Sequence, residues 1–210
     1  MSMAEDAGRP LRIAVTGGIG SGKSYVCHIL SERGIRVYDC DAAAKRLMRS
    51  SEDIRRQLCL LIGEEAYVGE RVNKAVVARF LMESEENTQK VNAIVHPAVG
   101  LDFLLSGLTW MECAILFESG FDRYVDRVVC VTAPEEVRVA RIMRRDDISR
   151  EEAYAWMAKQ MPQQEVLARS DYEIVNDGMR DVASQIDRLI HRLRIEDLRL
   201  VQPYIKDTTL

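Results

Sequence analysis

The chain has 210 residues, 47% hydrophobic and 30% charged, enough apolar material for one core with an embedded sub-domain and too much for a disordered or collagen-like protein. No apolar run approaches the ~20 residues of a membrane span, and the opening MSMAEDAGRP lacks the regions of a signal peptide. The net charge of −4 argues against broad nucleic-acid coating, and five scattered cysteines without a C-x-x-C pair fit reduced thiols in a cytoplasmic protein.

Residues 1–10 read as a flexible tail. Leu11 to Thr16 (LRIAVT) is a short β-branched run that predicts a buried strand. GGIGSG follows, then a helix from about Lys23 to Arg33, closed by Gly34. Ile35 to Tyr38 predicts a second strand, with Asp39 and Asp41 at its carboxyl end. Residues 42–108 carry helical patterns and no convincing strand. One helix is expected from about Glu85 to His96-Pro97, with a new one starting at Pro97. Cys113 to Phe117 (CAILF) predicts a strand ending at Glu118, the position of a Walker-B-like carboxylate. Arg127 to Thr132 predicts another strand, and Pro134-Glu135-Glu136 opens a helix. Asp146 to Ser149 breaks that helix, and Ser149-Arg150-Glu151-Glu152 is a capping-box pattern. Tyr172 to Val175 is the last strand, and residues 179–200 form an amphipathic helix. Strands alternating with helices imply an α/β fold with a mostly parallel five-stranded sheet between two helical layers.

Gly17 to Ser24 (GGIGSGKS) fits G-x-x-x-x-G-K-[ST] through Gly17, Gly22, Lys23 and Ser24. Glycines let the backbone fold into a nest of N–H donors, and the following helix start adds partial positive charge. Lys23 is expected on the β- and γ-phosphates of ATP, and Ser24 on Mg2+. A GTPase also needs D-x-x-G and N-K-x-D elements. No D-x-x-G occurs, and the nearest N-K match has Val76 in place of the Asp. An ABC-type signature is missing too, which leaves the small-molecule kinases.

Asp39 and Asp41 are candidates for the base that takes a proton from the attacking hydroxyl. Strand alternation puts both on one side, and one of them has the alternative role of capping the next helix. The arginines are uneven: 23 of 29 basic residues are Arg, and residues 138–150 hold five of them, Arg138, Arg141, Arg144, Arg145 and Arg150. Mobile arginines stabilise the charge of a migrating phosphoryl group, so this segment predicts a lid over ATP, near 141–165.

TGGIGSGKS (16–24), VYDCDAAA (37–44), His96-Pro97, ILFES (115–119), RIMRRDDIS (141–149) and Gln160 with YEIVND (172–177) stand in the order and spacing of one family. The sequence resembles dephospho-coenzyme A kinases. The resemblance implies a P-loop kinase fold: a nucleotide core at 11–44 and 109–200, a helical CoA-binding insert at 45–108, the lid, and a C-terminal tail at 201–210. It implies transfer of the ATP γ-phosphate to the ribose 3′-hydroxyl of dephospho-CoA with ATP and Mg2+; a monomer, with weak self-association as the alternative, and no nucleic-acid or membrane partner are expected. It assigns ATP binding to Gly17, Gly18, Ile19, Gly20, Ser21, Gly22, Lys23 and Ser24, and to Asn176 near the adenine. It assigns the base to Asp41, with Asp39 as its companion. Arg141 and Arg145 become lid cations, and His96 and Pro97 parts of the acceptor site. The chain departs from the family pattern at Val166, where a basic residue is expected. A kinase of another nucleoside or nucleotide, and a non-catalytic ATP-binding module, are the alternative readings.

Overall fold

The computed structural model describes residues 9–205, so residues 1–8 of the expected N-terminal tail and 206–210 of the C-terminal one lie outside it. In chain order the elements are β1 (Ile13–Thr16), α1 (Lys23–Glu32), β2 (Val37–Asp39), α2 (Cys40–Ser50), α3 (Glu52–Ile62), β3 (Tyr67–Val68), β4 (Arg71–Val72), α4 (Lys74–Glu83) and α5 (Glu85–Leu105). There follow β5 (Trp110–Glu112), β6 (Arg127–Thr132), α6 (Glu135–Asp146), α7 (Arg150–Met157), α8 (Gln163–Ala168), β7 (Tyr172–Val175) and α9 (Val182–Ile205). The chain divides into two units. One takes the chain up to Val37 and from Thr109 onward, the other is Tyr38–Leu108. No helix among the described residues is long and apolar enough to cross a membrane.

The first unit is built on a five-stranded parallel sheet in the order β2-β5-β1-β6-β7. β1 is central, pairing Ile13 with Trp110 of β5 and Val15 with Val129 of β6. All four of its residues are buried, as a strand covered on both faces requires. Ile13, Val15, Val129, Val131 and Ile174 form one core with Val26 and Leu30 of α1 and Ile186 and Leu189 of α9. Alternation sends Ala14 and Thr16 to the opposite face. Parallel pairing brings the carboxyl ends of β1, β5, β6 and β7 to one edge, where the loop after β1 emerges.

The strand expected over Cys113–Phe117 is not there. β5 ends at Glu112, and the amide of Cys113 makes the last ladder bond, to the Val15 carbonyl at 3.1 Å. The chain then coils into a turn that buries Leu116 and leaves Glu118 exposed, in which Ser119 N donates to Ile115 O and Phe121 N to Leu116 O. A continuous apolar run fits a buried turn as well as a strand, and Leu116 is fully buried this way. Glu118 therefore ends no strand; the carboxylate at the end of β5 is Glu112.

The second unit is helical, with a two-residue hairpin, β3–β4, that the residue pattern did not disclose. It starts at Tyr38, ahead of the expected position 45, because α2 packs on α3 and α5 within it. Side-chain caps start its helices: Asp39 for α2, Ser51 for α3, Asn73 for α4 and Ser84 for α5. The expected break at Pro97 does not occur, and α5 runs through it for 21 residues. Pro97 removes one amide, but Val91, Val95, Val99 and Phe103 keep one buried face in register on both sides of it.

Candidate active site

The loop from Gly17 to Ser24 joins β1 to α1 in the first unit. Gly17, Gly20 and Gly22 have φ of 141°, 80° and 96°, the region that favours glycine. A Cβ on Gly22 would stand 2.1 Å from the Asn176 side-chain nitrogen. Unlike α2–α5 and α7, α1 has no side-chain cap; the Tyr25 and Val26 amides bond to the Gly22 carbonyl at 3.1 and 3.2 Å. The Lys23 ammonium donates to the carbonyls of Gly17 at 2.9 Å and Gly18 at 3.4 Å. Ser24 is exposed in the first turn. The Ser21 hydroxyl is the one buried side-chain polar atom without a hydrogen-bond partner among the described residues.

Four side chains from distant segments buttress this loop. Gln160 accepts from the Ile19 amide at 2.7 Å. Asn176, 6% exposed, donates from its side chain to the Ser21 carbonyl at 2.9 Å and accepts from Arg141. Arg138 and Arg141 reach the loop from α6. Arg141 donates to the carbonyls of Gly20 and Ser21, and Arg138 Nε to that of Ile19 at 2.9 Å. Arg138 is 6% exposed, packs over Gly18, and has no ion pair among the described residues. Burial pushes its guanidinium pKa down, and outweighs the opposite pull of the Glu135 carboxylate. Arg145 lies farther along α6. It is exposed and pairs with the adjacent Asp146 at 2.7 Å. The helix breaks at Asp147, which adopts a left-handed φ of 54°, and α7 opens with the expected capping box of Ser149 and Glu152. Glu118 lies in the turn after β5, where its carboxylate accepts from the Met161 amide at 2.9 Å.

The other candidates belong to the helical unit. Asp39 is the N-cap of α2, its carboxylate accepting from the Ala42 amide at 2.8 Å. Asp41 sits in the first turn of the same helix, exposed. His96 is half-buried and Pro97 exposed, both inside α5. Behind them Tyr38 donates to Asp102 at 2.6 Å, and Arg46 donates to the same carboxylate at 2.5 Å. Burial, then the bond to Asp102, raises the Tyr38 pKa far above that of an ordinary phenol.

The dephospho-CoA kinase family profile matches residues 11–181. The chain belongs to the dephospho-CoA kinase family. Among its relatives, the dephospho-CoA kinase of Bacteroides fragilis is 40% identical over 187 residues, spanning 86% of this chain and 91% of that one. That of Salinibacter ruber is 38% identical over 176 residues, spanning 79% and 88%. The solved structure of TT1252 from Thermus thermophilus superposes with a TM-score of 0.76 at 34% identity, covering 88% of this chain and 97% of that chain. A shikimate kinase from Acinetobacter baumannii, at 14% identity and a TM-score of 0.52, covers 92% and 97% and shares the P-loop kinase fold alone.

In this dephospho-CoA kinase family member the acid that ends the strand is Glu112 and not Glu118, which the sequence favours because the apolar run after Glu112 looks like the strand. Arg138 stood among five arginines, and only its place over Gly18 separates it from the solvated ones. Val166 is buried in α8, 5% exposed, and serves packing. Arg169 nearby stacks on Phe117, 4.0 Å from its ring centre, and pairs with Asp122 at 3.7 Å.

Proposed function

We propose that this family member transfers the γ-phosphoryl group of ATP to the ribose 3′-hydroxyl of dephospho-CoA, giving coenzyme A and ADP. The observation that carries the reading is the phosphate loop Gly17–Ser24, with an uncapped helix start and three cations, Lys23, Arg138 and Arg141, at its backbone. Loop amides and Lys23 hold the phosphates of ATP. Ser24, a hard oxygen donor in the first turn of α1, fits Mg2+, which needs only one or two protein oxygens beside phosphate and water. When bound, Mg2+ offsets charge on the β- and γ-phosphates. Arg141 and Arg145 are the lid cations that meet charge on the migrating group.

Asp41 is the base. It accepts the proton of the 3′-hydroxyl as that oxygen bonds to phosphorus and the bond to the ADP oxygen breaks. The cap hydrogen bond of Asp39 supports this division, since that carboxylate is already engaged in starting α2. His96 and Pro97 belong to the acceptor side, and the enzyme works in the cytoplasm as a monomer.

The test is turnover. Purified chain with ATP, Mg2+ and dephospho-CoA is expected to release CoA and ADP in equal amounts. Asp41→Asn is expected to lower kcat by roughly 10²–10⁴ while ATP still binds, and Asp39→Asn to keep most of the rate. Folded protein that binds ATP and makes no CoA overturns the reading; near-normal turnover by Asp41→Asn moves the base elsewhere.

A further inference from the structure

Ile19 stands in the middle of the phosphate loop, yet its amide, its carbonyl and its side chain are all taken by the segment that follows β6. The amide donates to Gln160 Oε1 at 2.7 Å, in the connector between α7 and α8. The carbonyl accepts from Arg138 Nε of α6 at 2.9 Å. The side chain, half-buried, packs on a small cluster made by Val139 and Ile142 of α6 and Ala153 of α7. That cluster is separate from the core under the sheet, and Ile19 brings the phosphate loop into it.

The connector after α7 is fixed at three points. Gln160 holds Ile19, the Met161 amide donates to Glu118, and the Gln163 side chain exchanges two hydrogen bonds with the backbone of Ala133. At the other end the loop lies directly on α6, since a Cβ on Gly20 would stand 2.7 Å from the Arg138 carbonyl oxygen. A flap that swings independently needs a core of its own and a loose joint at each end. Here the joints are tied to the loop, and the core takes in a loop residue. We infer that Ile19 and Gln160 are positioning residues, which make the shape of the phosphate loop and the seating of α6 and α7 one equilibrium. Phosphates in the loop then set the α6 arginines for transfer. The inference rests on the activity proposed above and goes beyond it, in giving the Ile19 side chain to the lid and not to ATP.

Two readouts on the full chain test it. The first is Trp156 of α7, which is exposed, whereas Trp110 is buried in β5 and shielded from a neutral quencher. ATP without acceptor is expected to change the acrylamide-quenchable emission of the parent. Ile19→Ala empties the place on the cluster, and Gln160→Met removes the acceptor of the Ile19 amide at similar length. Each is expected to lose more than half of that change while binding ATP within about threefold of the parent. The second readout is turnover with dephospho-CoA. Both variants are expected to lower kcat roughly tenfold or more with the KM for ATP little moved, and Ile19→Val to keep most of both signals. Equal losses of kcat and ATP affinity would make the pair a prop of the phosphate cradle and overturn the inference. An emission change of parental size in either variant overturns it too, as does a parent whose emission ignores bound ATP. A parent that shows the emission change and makes no CoA overturns the activity and leaves the coupling standing.

Discussion

Arg138 shows what one residue costs and contributes. Its guanidinium lies 6% exposed over Gly18, bonded to the Ile19 carbonyl and without an ion pair among the described residues. A buried charge lacking a partner opposes folding, and an apolar side chain of similar length in its place is often neutral or stabilising. Under the proposed function, the phosphates of ATP supply the close counter-charge that Glu135, not paired with Arg138, does not. Arg138→Met is therefore expected to leave the melting temperature of the nucleotide-free protein unchanged or raised, and to cut the ATP-induced rise by more than half. Thermal melts with and without ATP measure both, because a ligand stabilises in proportion to the logarithm of its occupancy. An ATP-induced rise equal to the parent's would reduce Arg138 to a prop for the loop. The phosphate loop itself was legible residue by residue, since its glycines and Lys23 are adjacent in the chain. Arg138, Gln160 and Asn176 reach it across more than 110 residues of sequence, and no local pattern carries such a contact.

Elements were legible where one local rule acted alone. Strands β6 and β7, the start of α6 and the capping box of α7 follow from apolar runs and cap residues. Two elements went the other way because packing overrode a local signal. The CAILF run satisfies its burial as a turn, and α5 continues through Pro97 because a buried face on each side of it holds one axis. The second case has a measurable consequence. Pro97 is exposed and leaves the Ala93 carbonyl without its i+4 donor. Pro97→Ala is expected to stabilise the chain by about 1–3 kcal/mol, read from urea unfolding. A loss of stability would mean that the helix needs a bend at this point. The same variant, assayed with dephospho-CoA, reports whether the His96-Pro97 pair also serves the acceptor.

At the scale of the whole molecule, charge decides how the fold responds to acid. Asp126, just ahead of β6, accepts two hydrogen bonds from Arg9 and one from the Arg12 amide, tying the start of the chain to the sheet. Burial opposes its ionisation, but those bonds outweigh it and hold the carboxyl below the usual range. The unfolded chain, with a pKa of about 3.9 there, binds the proton first as pH falls. Stability thus rises with pH across that window; the contribution is complete above about pH 5 and disappears as pH drops through the folded value. Asp126→Asn is expected to cost about 1–2 kcal/mol at pH 7, with the gap to the parent closing toward pH 2. Urea midpoints at the two pH values check it, and an equal gap at both would remove Asp126 from the acid response. Arg9 was expected within a flexible tail, since its partner lies 117 residues away. The sequence by itself determined the α/β class, the phosphate loop, the family and the chemistry, because each is written in short segments whose physics is local. Tertiary structure alone decided which of five arginines reach the loop, which acid ends β5, and which loop residue packs on α6 and α7. Those are relations between surfaces far apart in the chain, and only packing brings them together.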